Sequence, residues 1–146
     1  MEAKKLKPQN IIIIAICAAI GAAVPAILNN TVFSPSVKLD KELMQAASEI
    51  NASCPVMVDQ STRLDNAIAG PDKRFIYNYT ILVKIPEDYN NDAFVKDLRP
   101  ILVNNYKNNP DCQPMFKNGV TVVCRYKRTD GTLIADIPIT PKDCGY

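Results

Sequence analysis

The sequence predicts an α+β domain of order helix, hairpin, helix, hairpin. Its four strands form one antiparallel sheet with the helices on one face, preceded by an N-terminal membrane segment. Three observations predict it: a long uncharged run near the N-terminus, two stretches whose apolar residues recur at helical spacing, and two pairs of alternating stretches joined by turn residues.

The run IIIIAICAAIGAAVPAIL fills residues 11–28, directly after the basic tail MEAKKLKPQN of residues 1–10. As a helix rising about 1.5 Å per residue it would cover roughly 27 Å, enough for a thin hydrocarbon core and hence a transmembrane anchor. The same run also reads as a cleaved signal peptide, with residues 11–20 as its apolar stretch and Gly21, Ala22, Ala23 and Ala26 as the small residues a peptidase needs. A third reading lipidates Cys17, against which Ile16 stands where a small residue is expected. All three send the same part outward, because Lys4, Lys5 and Lys7 stay on the cytoplasmic side. The expected location is therefore the inner membrane, single-pass, with the C-terminal domain in the periplasm. Signal cleavage would make it periplasmic instead.

Residues 29–39 are polar, contain Pro35 and read as a linker, which leaves residues 40–146 as the extracytoplasmic domain. Asp40 can cap a helix over residues 41–51, with Glu42 in its first turn and Leu43, Met44, Ala47 and Ile50 at helical spacing. Cys54 and Pro55 end it. In Val56, Val58, Thr62 and Leu64 the strand alternation is interrupted by Asp59–Ser61, whereas residues 75–81 alternate cleanly. Gly70, Pro71 and Asp72 supply the turn between them, longer than two residues. Phe75, Tyr77, Tyr79 and Ile81 share one face of the second strand.

A second helix starts near Asn91, with Phe94, Val95, Leu98, Ile101, Leu102 and Tyr106 at helical spacing. Pro100 inside it predicts a kink or break near residues 96–99. The second hairpin joins residues 119–126 to residues 132–139 through Thr129, Asp130 and Gly131, and Asp-Gly is a strong turn signal. Val120, Val122, Cys124 and Tyr126 share a face, as do Leu133, Ala135, Ile137 and Ile139. Pro138 lacks an N–H, which places the last strand at a sheet edge.

Charge excludes some functions. The chain has 17 basic and 15 acidic residues and no His, and residues 29–146 hold 14 of each sign. A neutral domain offers no footprint for a phosphate backbone, so no nucleic-acid partner is expected. Without His, the commonest general base and the commonest zinc ligand are missing. No serine lies in a Gly-x-Ser-x-Gly setting and no Gly-rich loop precedes a helix, so no catalytic residue, metal, cofactor or small-molecule substrate is expected. Asp59, Asp65 and Arg63 read as strand charges with a local ion pair. Outside the apolar run, Cys54, Cys112, Cys124 and Cys144 make an even set in an oxidising compartment, consistent with two disulfides in any of three connectivities.

The C-terminal pattern resembles a family. Cys112, then Gly119-Val-Thr-Val, Tyr126, Asp130-Gly131 and a closing strand ending in Pro141-Lys-Asp-Cys144-Gly145 resemble the small αβ, disulfide-linked pilotins of type II secretion systems and their unassigned exported bacterial relatives. The resemblance covers about 35 residues well and residues 40–146 loosely in element order. It implies a Cys112–Cys144 disulfide, which leaves Cys54 and Cys124 as the second pair. It also implies a membrane-tethered protein-binding module that captures an apolar segment of an envelope or secretion-system protein. Exposed members of the sets Leu43, Met44, Ile50 and Phe75, Tyr77, Tyr79 are expected beside that groove. A second hypothesis is a structural or regulatory subunit acting through its transmembrane helix, where Ala18, Ala19, Gly21, Ala22 and Ala23 form a close-packing face.

Overall fold

The computed structural model describes residues 36–146. The expected basic tail, the apolar run of residues 11–28 and residues 29–35 of the linker lie outside the described residues. Among the described residues no helix is long and apolar enough to cross a membrane.

Helix α1 spans Ser36–Ala52, so it begins inside the expected linker and carries Asp40 within it, not as a cap. The reason is one more apolar turn. Leu39 is as buried as Leu43, Ala46 and Ala47, so helix from Ser36 extends the buried stripe by a turn that a cap at Asp40 would forfeit. The interrupted first strand resolves into two, β1 at Val56–Met57 and β2 at Thr62–Gly70, separated by a tight turn in which Asp59 Oδ1 accepts from the Ser61 N–H. Strand β3 follows at Arg74–Ile81 after a three-residue turn in which Asp72 and Lys73 take φ of 57° and 55°.

Helix α2 spans Asn91–Asn108 and is capped by Asn90, whose Oδ1 accepts from the N–H groups of Asp92 and Ala93 at 2.9 and 3.3 Å. The helix passes through Pro100 without a break. Pro100 and Lys96 are both exposed, so the carbonyl that Pro100 cannot satisfy lies on the watered side. A 3-10 turn at Pro110–Cys112 and a short helix α3 at Gln113–Lys117 lead to β4, Thr121–Arg128, and β5, Leu133–Ile139. Gly131, with φ 87°, takes the left-handed position of the β4–β5 turn.

The sheet has five strands in the order β1-β2-β3-β4-β5, not four in an all-antiparallel sheet. Strands β3 and β4 are parallel, in register from Arg74 opposite Thr121 to Ile81 opposite Arg128. The connection explains it: α2 carries the chain from the end of β3 back along the sheet, so β4 starts where β3 started. The other three pairs are antiparallel. Strand β5 is an edge, as Pro138 requires.

One buried cluster unites Leu39 and Leu43 of α1, Phe94, Leu98, Leu102 and Tyr106 of α2, and the inward side chains of β2 to β5, so both helices share one face of the sheet. The aromatic residues make its centre. Tyr79 stacks on Tyr126 at 5.1 Å between centroids, Phe94 meets Tyr126 edge-on at 5.4 Å, and Tyr106 meets Phe116 edge-on at 6.0 Å. Each such side chain contributes about 1.5–3 kcal/mol through burial.

Two bulges set which residues face inward. In β2, Leu64 opposes Tyr79 and Asn66 opposes Asn78, so Asp65 is the extra residue and the buried set runs Thr62, Leu64, Ala67. In β5, Ala135 opposes Tyr126 and Leu133 opposes Lys127, so Ile134 is extra. That bulge turns Leu133 out to 48% exposure and buries Ile134 in its place.

Candidate functional site

Four of the six residues expected beside a partner groove are covered in the fold. Leu43, Phe75, Tyr77 and Tyr79 are core residues, exposed by 3% or less. Alternation marked the aromatic face of β3 correctly as a shared face, but that face lies under the helices. Met44 is 63% exposed on the solvent side of α1, and Ile50 is half-buried.

Three exposed apolar side chains outside that set lie at the β1–β2 edge. Val56, Met57 and Ile68 are 39%, 48% and 46% exposed, and Met44 lies on α1, the helix packed against β2. Val58 points into the core, so by alternation Val56 leans toward the helix side while Met57 turns to the opposite side of the sheet. Strand β1 has only two residues and one neighbour, so its outer backbone groups are free of any described strand. A period signal could not have found it, because two residues carry no period.

The sheet face opposite the helices carries an apolar row across the strands, Ile68, Ile76, Val123 and Pro138, and beside it polar side chains that pair with one another. At the β2 bulge Asp65 accepts from Arg63 Nε at 2.6 Å and from the Thr80 hydroxyl. Asn78 donates to Asn66 Oδ1 at 2.7 Å, and Arg125 binds Asp136 through two nitrogens at 2.7 and 2.8 Å. The Arg125 hydrogen bonds hold the Asp136 carboxyl below its ordinary range, with Arg74 and Lys127 adding to the effect. The expected local pair of Arg63 with Asp65 is present, and Asp59 is spent on the Ser61 turn.

All four described cysteines are free thiols in this structure, so the two expected disulfides are not formed. Cys54 precedes β1 and Cys124 lies on β4, three strands further across the sheet. Cys124 Sγ instead lies 3.5 Å from the Tyr106 hydroxyl. Burial pushes the Cys112 and Cys124 thiols up to about 12, Cys112 with help from Asp111 and nearby Cys144. Cys54 and Cys144 are raised too, first by burial and then by Asp65 and Asp143 respectively. Thiols this high stay protonated at neutral pH and make poor nucleophiles and poor metal ligands. Among the described residues no group of three Cys, Asp or Glu is placed to hold a metal ion.

At the opposite end of the sheet the chain is tied down. Asp143 accepts from the Thr140 N–H and hydroxyl, both at 2.9 Å, and from Arg99 of α2 at 2.8 Å. The Thr140 N–H is the main cause of its lowered pKa.

No protein-family model matches the chain, and neither does any curated protein. Solved structures do. A Pseudomonas aeruginosa protein provisionally described as secreted superposes with a TM-score of 0.64 at 11% identity, over 78% of this chain and 99% of that one. The type II secretion system pilotin AspS of Vibrio cholerae gives 0.56 at 16% identity, over 74% of this chain and 94% of its own. The type 2 secretion system pilotin EpsS of Vibrio vulnificus gives 0.58 at 16% identity, over 75% and 94%. The chain therefore has a pilotin-like fold, shared with a protein described as secreted.

Proposed function

We propose that this chain is a membrane-tethered, exported adaptor of the pilotin kind, whose folded domain captures an apolar segment of an envelope or secretion-system protein. The observation that carries it is the fold: two pilotins are each covered over 94% of their length by the described domain. The apolar run of residues 11–28 would hold the domain at the outer face of the inner membrane, or be removed on export. The surface best suited to capture is the β1–β2 edge, where Met57 and Ile68 are exposed on the face opposite the helices and Val56 on the helix side. An added peptide there gains backbone hydrogen bonds from the edge and apolar contact from these side chains.

The test is titration of the purified full-length chain, in detergent, with a peptide copying the C-terminal segment of a secretin from the same genome. Binding is expected, weakened about tenfold or more by Met57→Asp, since a buried carboxylate without a partner costs well over 1.4 kcal/mol. Leu133→Asp, at the other edge, should leave it unchanged. Absence of binding by the unmodified chain would overturn the adaptor reading. Equal loss from both substitutions would move the surface elsewhere.

A further inference from the structure

Strand β2 is longer than its outer neighbour. Its pairing with β1 covers only Arg63 and Leu64, so Asn66–Gly70 has a strand on the β3 side alone. In an antiparallel pair the N–H and C=O of one residue point to the same side, and the side alternates along the strand. At Ala67 they point outward, because both are taken by a side chain of α1: the Ala67 N–H donates to Asn51 Oδ1 at 2.7 Å, and Asn51 Nδ2 donates to the Ala67 carbonyl at 2.9 Å. A carboxamide carries one acceptor and one donor side by side, as the backbone of a neighbouring strand does. Asn51 thus stands where that strand would be.

We infer that the Asn51 carboxamide is a guard that closes the β2 edge against pairing with a second copy of this chain. The edge is otherwise poorly protected. Asn66-Ala-Ile-Ala-Gly70 contains no charge and no proline, the two devices that commonly keep edges apart, and Ile68 is 46% exposed. An antiparallel pair of two β2 strands centred on Ala67 would set Asn66 opposite Ile68 and Asp65 opposite Ala69, with no like charges facing. The last turn of α1 occupies the slot, and within that turn Ile50 alone packs against the core beside the Asn51 bonds, while Ser48, Glu49, Asn51 and Ala52 are exposed. Releasing Asn51 lets this turn lift and the edge open. The inference does not depend on any partner-binding role.

Full-length chain in detergent, unmodified and as Asn51→Ala and Asn51→Asp, tests it. Aspartate keeps the size and the acceptor but sets a carboxylate oxygen against the Ala67 carbonyl, so only a strand-like role is broken by it. Both variants should exchange the Ala67 amide on the order of tenfold faster and self-associate in sedimentation velocity as concentration rises, while the unmodified chain stays a single copy. Adding Ile68→Lys should return them to single copies. Self-association of the unmodified chain, folded variants that stay single with Ala67 protected, or association that survives Ile68→Lys would each overturn the inference. So would loss of folding in both variants, since a guard of this kind is not needed for the core.

Discussion

The two ends of the sheet are built on opposite terms. At the β4–β5 end, α2, α3 and the C-terminal turn close over the strands: Met115, Phe116, Cys112 and Cys144 are all buried, and Arg99 ties α2 to Asp143. At the β1–β2 end, the outermost strand has two residues, the apolar side chains beside it are open to water, and one side-chain amide fastens the end of α1. One end is covered by packed elements and the other leaves apolar side chains in water.

The largest effect expected from that contrast is on the core. Phe116→Ala, which removes the ring that packs edge-on against Tyr106, should destabilise the domain by about 3–5 kcal/mol. Met57→Ala at the open end should change stability by less than about 0.5 kcal/mol. Denaturant melts of the two variants check the pair, and similar losses from both would break the contrast.

The thiols give the next effect. Cys112 and Cys124 sit at about 12 in the folded domain against 9.0 for the ordinary thiol, so their burial as neutral groups stabilises fully below about pH 9. Above that the unfolded chain gains from ionisation, and the contribution is lost as pH rises toward 12. Stability measured from pH 8 to 11 should therefore fall. The resemblance-based Cys112–Cys144 disulfide sharpens this experiment: treatment with a thiol–disulfide oxidant that joins those two sulfurs would remove the Cys112 titration and reduce the alkaline loss, and non-reducing peptide mapping identifies the bond.

Much of this architecture was legible in the sequence, and the parts that were not share a cause. Helix α2 and the β4–β5 hairpin follow from helical spacing around Phe94 and Leu98 and from Asp130-Gly131, which are local signals. The bulge at Asp65 hid the second half of β2, because after it Ala67 is buried where strict alternation would bury Asn66. Parallel pairing of β3 with β4 is a property of how α2 packs and leaves no mark on either strand. The candidate surface was less legible still. Alternation identifies a face but not what covers it, so the pattern of Phe75, Tyr77 and Tyr79 is the same whether that face is open or covered, and β1 is too short to show a period.

The smallest effects separate two carboxylates within the covered β4–β5 end. Asp143 and Asp136 are both lowered from an ordinary 3.8, Asp143 chiefly by the Thr140 N–H and Asp136 chiefly by Arg125. A carboxyl lowered by folding stabilises above its unfolded pKa and loses that contribution as pH falls through the folded value, so both add to an acid limb below about pH 4. They should not add equally. Asp143 joins the closing strand to α2 through three bonds, whereas Asp136 pairs with Arg125 on an exposed position of the opposite face, where such pairs contribute about 0–1 kcal/mol. Asp143→Asn should cost about 1–2 kcal/mol at neutral pH and flatten the acid limb. Asp136→Asn should cost less than 1 kcal/mol by the same bound and leave the limb nearly intact. Thermal melts of both variants between pH 2.5 and 7 decide it, and a larger loss from Asp136→Asn would mean that the C-terminal tie is not what closes the β5 end.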